Sequence, residues 1–245
     1  MITKNTLKLI QSLKQQKYRK EHQLFVVEGK KMVEELLSSG FHTVHLFATE
    51  RFLDEHPTRY PDVETVTEVQ MAQMSGQDTP PGILAVVEAR EQSLEGGSMV
   101  LALDGIANPG NLGTIIRTSE WFGIKDIVCS EDCVELWNPK VIQATMGSLF
   151  RMNVVSTDLY RFLSEQKSQG KPIYGALLEG ENIFKRSDWP DGVIVIGSES
   201  LGIRSNLIPL ITHPITIPRA EGSVTESLNA SMATGIILSS WASKK

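Results

Sequence analysis

From Met99 onward, short apolar runs alternate with helical patterns, and this alternation constrains the fold more than any other feature of the chain. The runs begin with MVLALDG and end with PITIP, and stretches such as NLGTIIRTSEWFG and LYRFLSEQKSQG lie between them. Buried strands separated by helices are typical of a parallel sheet that is covered on both faces. We therefore predict an α/β domain over residues 99–245.

A smaller α/β domain is predicted over residues 1–90. Its pattern is a helix, the strand LFVVEG, the helix KKMVEELLSSG, the strand TVHLFAT, a short helix near VQMAQMS and the strand GILAVVEA. Residues 91–98, EQSLEGGS, carry charges and glycines and are interpreted as a linker.

Composition places the chain among ordinary globular proteins, with 41% hydrophobic and 22% charged residues in 245. The first residues lack the apolar centre of a signal peptide, and nowhere do about 18 apolar residues run together. We expect a cytoplasmic protein that does not enter a membrane. Cys129 and Cys133, the two cysteines, have no nearby His and fit neither a zinc site nor a disulfide framework, so free thiols are expected.

The net charge of −5 is unevenly distributed. Residues 1–31 carry a charge of +6 and the rest of the chain −11. The basic residues of this segment are Lys4, Lys8, Lys14, Lys17, Arg19, Lys20, Lys30 and Lys31. Such asymmetry favours binding to a polyanion. A solvated amphipathic helix is the alternative, because Leu7, Ile10 and Leu13 follow helical spacing.

Three predicted strand ends carry polar loops, and ligands of α/β sheets usually bind at such ends. The first loop holds Asn111 and is followed by Arg117; its glycines match a dinucleotide fingerprint only loosely. The second, IVIGSESLG, holds Gly197, which allows close backbone approach, and the carboxylate of Glu199.

The third loop, SLNAS, places Ser227 and Asn229 where an apolar helix begins and main-chain N–H groups lack partners. Taken singly, these residues have simpler explanations. The simpler explanation is a helix cap for Ser227, Asn229 or Asn111. It is a surface cation for Arg117 and a turn cap for Glu199. Three polar loops at the strand ends of one sheet favour a shared site.

The three segments resemble the three sequence motifs of the SpoU (TrmH) family of RNA ribose 2'-O-methyltransferases. NPGNLGTIIRT is similar to the first motif, IVIGSESLG to the second, and IPRAEGSVTESLNASMATGIILSSW to the third. Their order and spacing agree over about residues 98–245, and NPKVIQATMGSLFRMNV is similar to a further family stretch. YRKEHQLFVVEGKKMVEELL resembles the RNA substrate-binding domain that often precedes this catalytic domain.

The resemblance implies methyl transfer from S-adenosylmethionine to a ribose 2'-hydroxyl of structured RNA, without a metal. It implies a SPOUT-type trefoil knot formed by the second and third loops, with the donor held by the backbone of Gly197, Ile217 and Leu228. A homodimer with the active site near its interface is also implied. Ribosomal RNA ranks before transfer RNA, because the N-terminal domain resembles that of members acting on ribosomal RNA.

The catalytic positions carried over from the family are Asn111, Arg117, Glu199, Ser227 and Asn229. A guanidinium stays protonated, so we expect Arg117 to grip the target phosphate and make the neighbouring hydroxyl easier to deprotonate. The two asparagines would orient the ribose, the phosphate or Arg117. Glu199 would hold Arg117 or the nucleotide, and Ser227 would shape the pocket.

The predicted RNA-binding surface consists of Lys14, Lys17, Arg19 and Lys20, which would attract phosphates irrespective of sequence. An RNA-binding assembly protein that has lost transferase activity is the alternative, and a nucleotide-dependent oxidoreductase is disfavoured by the poor dinucleotide motif. The chain departs from the family in the longer loop RAEGSVTES and in SLNASMA in place of SLNVSVA. We expect Ala230 and Met232 to preserve the packing, and residues 219–226 to influence donor affinity or substrate entry.

Overall fold

A computed structural model describes residues 2–57 and 60–245. The helices are α1 (Lys4–Ser12), α2 (Gln16–His22), α3 (Lys30–Leu37), α4 (Glu50–Glu55), α5 (Glu68–Met74), α6 (Pro109–Trp121), α7 (Pro139–Thr145), α8 (Leu159–Ser168) and α9 (Ala230–Ala242). The strands are β1 (Leu24–Glu28), β2 (Thr43–Thr49), β3 (Val63–Val66), β4 (Ile83–Glu88), β5 (Met99–Asp104), β6 (Asp126–Ser130), β7 (Asn153–Thr157), β8 (Ile173–Asn182), β9 (Gly192–Gly197) and β10 (His213–Thr216).

The chain divides into two compact units. One consists of Met1–Glu91 with Glu135–Phe150, and the other of Gln92–Val134 with Arg151–Lys245. The predicted catalytic segment 99–245 therefore contributes its residues 135–150 to the first unit. Within the described residues, no helix is both long and apolar enough to cross a membrane.

The first unit is built on a mixed sheet with the strand order β1-β4-β2-β3. β4 runs antiparallel to β1 and β2, whereas β2 and β3 are parallel. The sequence pattern predicts one helix before β1, and this prediction is wrong, because the chain breaks between α1 and α2. Ile10 and Leu13 pack into the core at the end of α1, and no apolar residue continues their spacing in Lys14–Lys17.

Residues 135–150 pack on the first sheet through aromatic side chains. Trp137 stacks on Phe25 of β1 with ring centroids 4.5 Å apart, and Phe150 meets Phe41 edge-on at 5.5 Å. The sequence pattern predicts one helix over PKVIQATMGSLF, but the helix ends at Thr145, because Met146 adopts a left-handed backbone with φ 52°. This segment thus forms part of the first unit's core.

The second unit contains a six-stranded sheet with the order β10-β8-β9-β5-β6-β7. Every strand pair in it is parallel, which confirms the predicted sheet. The central strands β5 and β9 are almost wholly buried. The sequence pattern also predicts a helix around NLIPLI, but this segment forms only the 3-10 turn Ile208–Leu210, which contains Pro209.

Residues 95–97 of the predicted linker are fixed to the start of β6. The buried carboxylate of Asp126 accepts hydrogen bonds from the main-chain N–H groups of Glu95, Gly96 and Gly97 at 2.9–3.1 Å, and from Nδ2 of Asn153 at 2.8 Å. Burial alone would raise the pKa of Asp126, but these donors together bring that pKa below its usual value. The segment is therefore an anchored connection.

Candidate active site

The three polar loops lie on the second unit, and two of them leave the sheet side by side. β5 ends at Asp104 and β9 at Gly197, and these two residues are paired in the register of the parallel sheet. The third loop leads from β10 to α9, and α9 packs against α6, the helix that follows the first loop. The fold therefore brings all three motifs to one edge of the sheet.

One residue from each loop joins a continuous series of hydrogen bonds. Nδ2 of Asn111 donates to Oε1 of Glu199, and Nδ2 of Asn229 donates to Oδ1 of Asn111 at 3.1 Å. The charged acceptor Glu199 fixes which way the amide of Asn111 points, and Asn111 then presents its oxygen to Asn229. Three of the predicted catalytic residues are thus in direct contact.

Asn229 is also the N-cap of α9. Its Oδ1 accepts from the main-chain N–H groups of Ser231 and Met232 at 3.0 and 3.3 Å and from the Ser231 hydroxyl at 2.6 Å. The capping explanation therefore holds for Asn229 alongside its contact with Asn111. It does not hold for Asn111, because Asn108 caps α6.

Arg117 is exposed on α6 and is not held by Glu199. Among residues 2–57 and 60–245, its guanidinium has no hydrogen-bonding or ion-pair partner in the chain. Arg117 follows Asn111 by six residues, which on an α-helix means a rise of about 9 Å and a different face. A carboxylate that bonds Asn111 in the first turn is therefore poorly placed to reach Arg117, and the expected Glu199–Arg117 pair is not formed. The alternative role of Glu199, holding the nucleotide, stays a prediction.

The second loop folds tightly back on itself. Ser198 and Gly202 exchange main-chain hydrogen bonds of 3.2 and 2.9 Å, and Gly202 has φ +65°. A Cβ on Gly197 would overlap the main chain of Gly202 and Ile203. Gly197 is thus required by the chain's own close approach.

The remaining predicted residues of the third loop lie outside the hydrogen-bonded series. Ser227 and Leu228 are exposed and Ile217 is half-buried. Among the described residues, the Ser227 hydroxyl has no hydrogen-bond partner. The preceding loop is exposed and closes on itself, because Nη1 of Arg219 donates to the carbonyl of Thr225 at 3.1 Å.

Sequence reasoning missed the residues that support the first loop. The main-chain N–H of Gly105 donates to Ser130 Oγ at 2.9 Å, and that of Ile106 donates to Cys133 Sγ at 3.2 Å. A hydrogen bond from Cys129, followed by those from Ser130 and the Ile106 and Gly105 main chain, outweighs burial and lowers the pKa of Cys133 to about 7. No sequence signal linked these side chains to the loop.

Arg19 does not belong to the predicted RNA-binding surface. It is 4% exposed, its guanidinium forms an ion pair with Glu135, and its Nη1 donates to the carbonyl of Leu13 at 2.8 Å. The guanidinium is therefore occupied inside the first unit. Lys14, Lys17 and Lys20 are exposed.

Residues 98–239 match the SpoU rRNA Methylase family, and residues 4–85 match the MRM3-like substrate binding domain. Because the first match covers more than half of the sequence, the chain belongs to the SpoU rRNA methylase family. It is 28% identical to the 23S rRNA (guanosine(2553)-2'-O)-methyltransferase RlmP of Bacillus subtilis over 91% of this chain and 90% of that protein.

Two solved structures share the fold across both units. A TrmH-family protein from Porphyromonas gingivalis is 35% identical, with a TM-score of 0.89 and complete coverage of both chains. An AdoMet-bound rRNA methyltransferase from Sinorhizobium meliloti is 28% identical, with a TM-score of 0.84 over 98% of this chain and 95% of that chain.

Proposed function

We propose that this protein transfers a methyl group from S-adenosylmethionine to a ribose 2'-hydroxyl of structured RNA, with ribosomal RNA as the substrate. The observation that carries the proposal is the series Glu199–Asn111–Asn229, which joins the three family motifs. The names of the Bacillus subtilis and Sinorhizobium meliloti relatives support ribosomal RNA, and the bound AdoMet of the latter supports the donor.

The donor is proposed to lie against the backbone of Gly197, Ile217 and Leu228, in a knot made by the second and third loops. Leu228 fits this role, because within the described part of the chain its main-chain N–H has no hydrogen-bond partner. The donor supplies an electrophilic methyl on a sulfonium. As the O–C bond forms, the S–C bond breaks, the sulfonium leaves as a neutral thioether, and the hydroxyl proton passes to water.

Arg117 is proposed to bind the phosphate next to the target ribose. Its exposed guanidinium is free of partners among the described residues and can form charge-assisted hydrogen bonds to phosphate oxygens. Asn111 and Asn229 are uncharged and mutually oriented, which suits them to position the ribose. Most of the rate would then come from positioning and charge stabilisation.

Residues 1–90 are proposed to form the RNA substrate-binding domain, and residues 99–245 the catalytic domain. Lys14, Lys17 and Lys20 are exposed and can attract the phosphate backbone. Ser227 is proposed to shape the pocket. We place the enzyme in the cytoplasm because its proposed substrate is available there.

A homodimer is proposed on the basis of exposed apolar side chains. Trp121 at the end of α6 is 84% exposed and Met232 at the start of α9 is 60% exposed. Thr118 lies beside Gly235 where these two helices pack, and each exposed residue is about one turn from that point. A second copy of the chain would cover them.

The decisive experiment incubates the purified protein with labelled S-adenosylmethionine and unmodified ribosomal RNA, and maps ribose methylation in total RNA with and without the protein. We expect transfer to one or a few riboses. Arg117→Ala should lower turnover about a hundredfold, because a charge-stabilising donor is lost, while donor binding persists. Arg161→Ala, which removes an exposed arginine of α8, is the matched control.

RNA binding without any methyl transfer would overturn the enzymatic proposal and favour an assembly protein. Transfer to transfer RNA alone would retain the reaction but reject the substrate. Unchanged turnover in Arg117→Ala would reject the role given to Arg117.

A further inference from the structure

Asp104 is a buried carboxylate at the end of β5, and both of its oxygens face Arg204. The residue is 1% exposed. Oδ2 accepts a hydrogen bond from the main-chain N–H of Arg204 at 2.8 Å, and Oδ1 lies 2.5 Å from Nη2 of the same residue. The second contact is an ion pair without hydrogen-bond alignment, because Oδ1 of Asp104 has no aligned donor among the described residues. Nε of Arg204 is also buried and likewise has no hydrogen-bond partner among them.

Arg204 stands where the second motif loop returns to the body of the unit. The loop leaves β9 at Gly197, is closed by the Ser198–Gly202 hydrogen bonds, and re-enters at Ile203, which packs in the core. Asp104 is paired with Gly197 in the sheet and bonded to Arg204. One buried carboxylate therefore lies beside the start of the loop and fixes its end.

A second carboxylate assists from the loop that follows β6. Nη1 and Nη2 of Arg204 each lie 3.5 Å from an oxygen of Asp132, which is more than half exposed. Of the two carboxylates, only Asp104 is buried, so only Asp104 would be left as an unpaired charge in a dry environment if the loop opened. The loop is therefore held shut more strongly than its own two hydrogen bonds would hold it.

We propose that Asp104 and Arg204 are positioning residues that keep residues 198–203 in the shape that binds S-adenosylmethionine. This inference rests on the proposed function. Neither residue needs to touch the reacting atoms. Their effect would be to keep the binding-competent loop populated, and affinity falls in proportion when that population falls.

The first test measures donor affinity by titration calorimetry in Asp104→Asn and Arg204→Met, with Arg161→Met as the matched control. If the loop keeps its binding shape about one tenth of the time, Kd rises about tenfold in each variant. Turnover at saturating donor should stay within about twofold of the unaltered protein. The double variant should lose no more donor affinity than Arg204→Met alone, because Arg204→Met already removes the ion pair with Asp104 together with the contacts to Asp132.

The second test follows amide hydrogen exchange, which needs no donor. The N–H groups of Gly202 and Arg204 should exchange faster in both variants, while those of β5 and the control variant stay protected. If the two residues had a purely structural role, the variants would show a lower melting temperature without a selective loss of amide protection at Gly202 and Arg204. Arg204→Lys keeps a cation beside Asp104 and should bind the donor more tightly than Arg204→Met does. It serves as the test variant if Asp104→Asn or Arg204→Met does not fold.

Folded variants with unchanged donor Kd and unchanged exchange would overturn the positioning role while the proposed function stands. If the unaltered protein binds no S-adenosylmethionine, the proposed function fails, and the inference fails with it even if exchange increases.

Discussion

Asn229 uses the two ends of one amide for two purposes. The oxygen caps α9, and the nitrogen donates to Asn111, which in turn donates to Glu199. Because capping fixes the orientation of the Asn229 amide, it also directs the amide nitrogen toward Asn111. Capping and site formation are therefore consequences of a single side-chain conformation.

Substitutions at this residue can separate the two roles. Asn229→Asp keeps an acceptor for the helix but loses the donor to Asn111, so stability should be retained while turnover falls about tenfold or more, as expected for one lost hydrogen bond. Asn229→Ala should in addition lower the free energy of unfolding by about 0.5–2 kcal/mol. Thermal melts and methyl-transfer rates measure the two effects, and full activity in Asn229→Asp would leave Asn229 only its capping role.

Residue types were easier to predict than residue partners. Arg19 and Lys17 look alike in the sequence, but Arg19 meets Glu135, which is 116 residues away. The same limit applies to Glu199, expected beside Arg117 and found on Asn111. Asp104, in contrast, left a visible signal, since it is the charged residue that ends the apolar run MVLALD.

At the scale of elements, the segment before β5 depends on one ionised side chain. Asp126 receives three main-chain donors and one amide donor, and these lower its pKa. A carboxyl whose folded pKa is depressed contributes stability above its unfolded pKa, and this contribution is lost as the pH falls through the folded pKa. Anchoring of residues 95–97 should therefore weaken in acid.

Asp126→Asn replaces an accepting oxygen by an amide group whose hydrogens point at some of these donors. It should lower the free energy of unfolding at pH 7 by about 1.5–3 kcal/mol, the range for hydrogen bonds to a charged group. Denaturant unfolding at pH 7, 5 and 3 should show the difference from the unaltered protein shrinking as the pH falls below about 4. Asp191→Asn, at an exposed carboxyl, is the control. A difference that stays constant with pH would contradict the role of ionised Asp126.

Strands that form a clear apolar run in the sequence were predicted, and strands without such a run were missed. β5 and β9 are continuous apolar runs. β3 and β7 each bury a single residue and show no alternation, so they were not predicted. Their strand conformation comes from pairing with β2 and β6, which local sequence does not encode.

At the scale of the whole molecule, self-association would complete the surface formed by α6 and α9. Trp121→Glu places a charge in the proposed interface and should convert a dimer to a monomer. Light scattering coupled to gel filtration measures this, with Tyr160→Glu, an exposed aromatic of α8, as the control. A monomeric unaltered protein, or a Trp121→Glu protein that remains dimeric, would contradict this interface.

The packing of residues 135–150 on β1 limits how modular this protein can be. A cut between residues 91 and 98 would leave Trp137 and Phe150 on one fragment and their partners Phe25 and Phe41 on the other. Each fragment would then expose part of the same core. Recombination at the apparent domain boundary would have to replace this segment too, so the two sequence domains are expected to be inherited together.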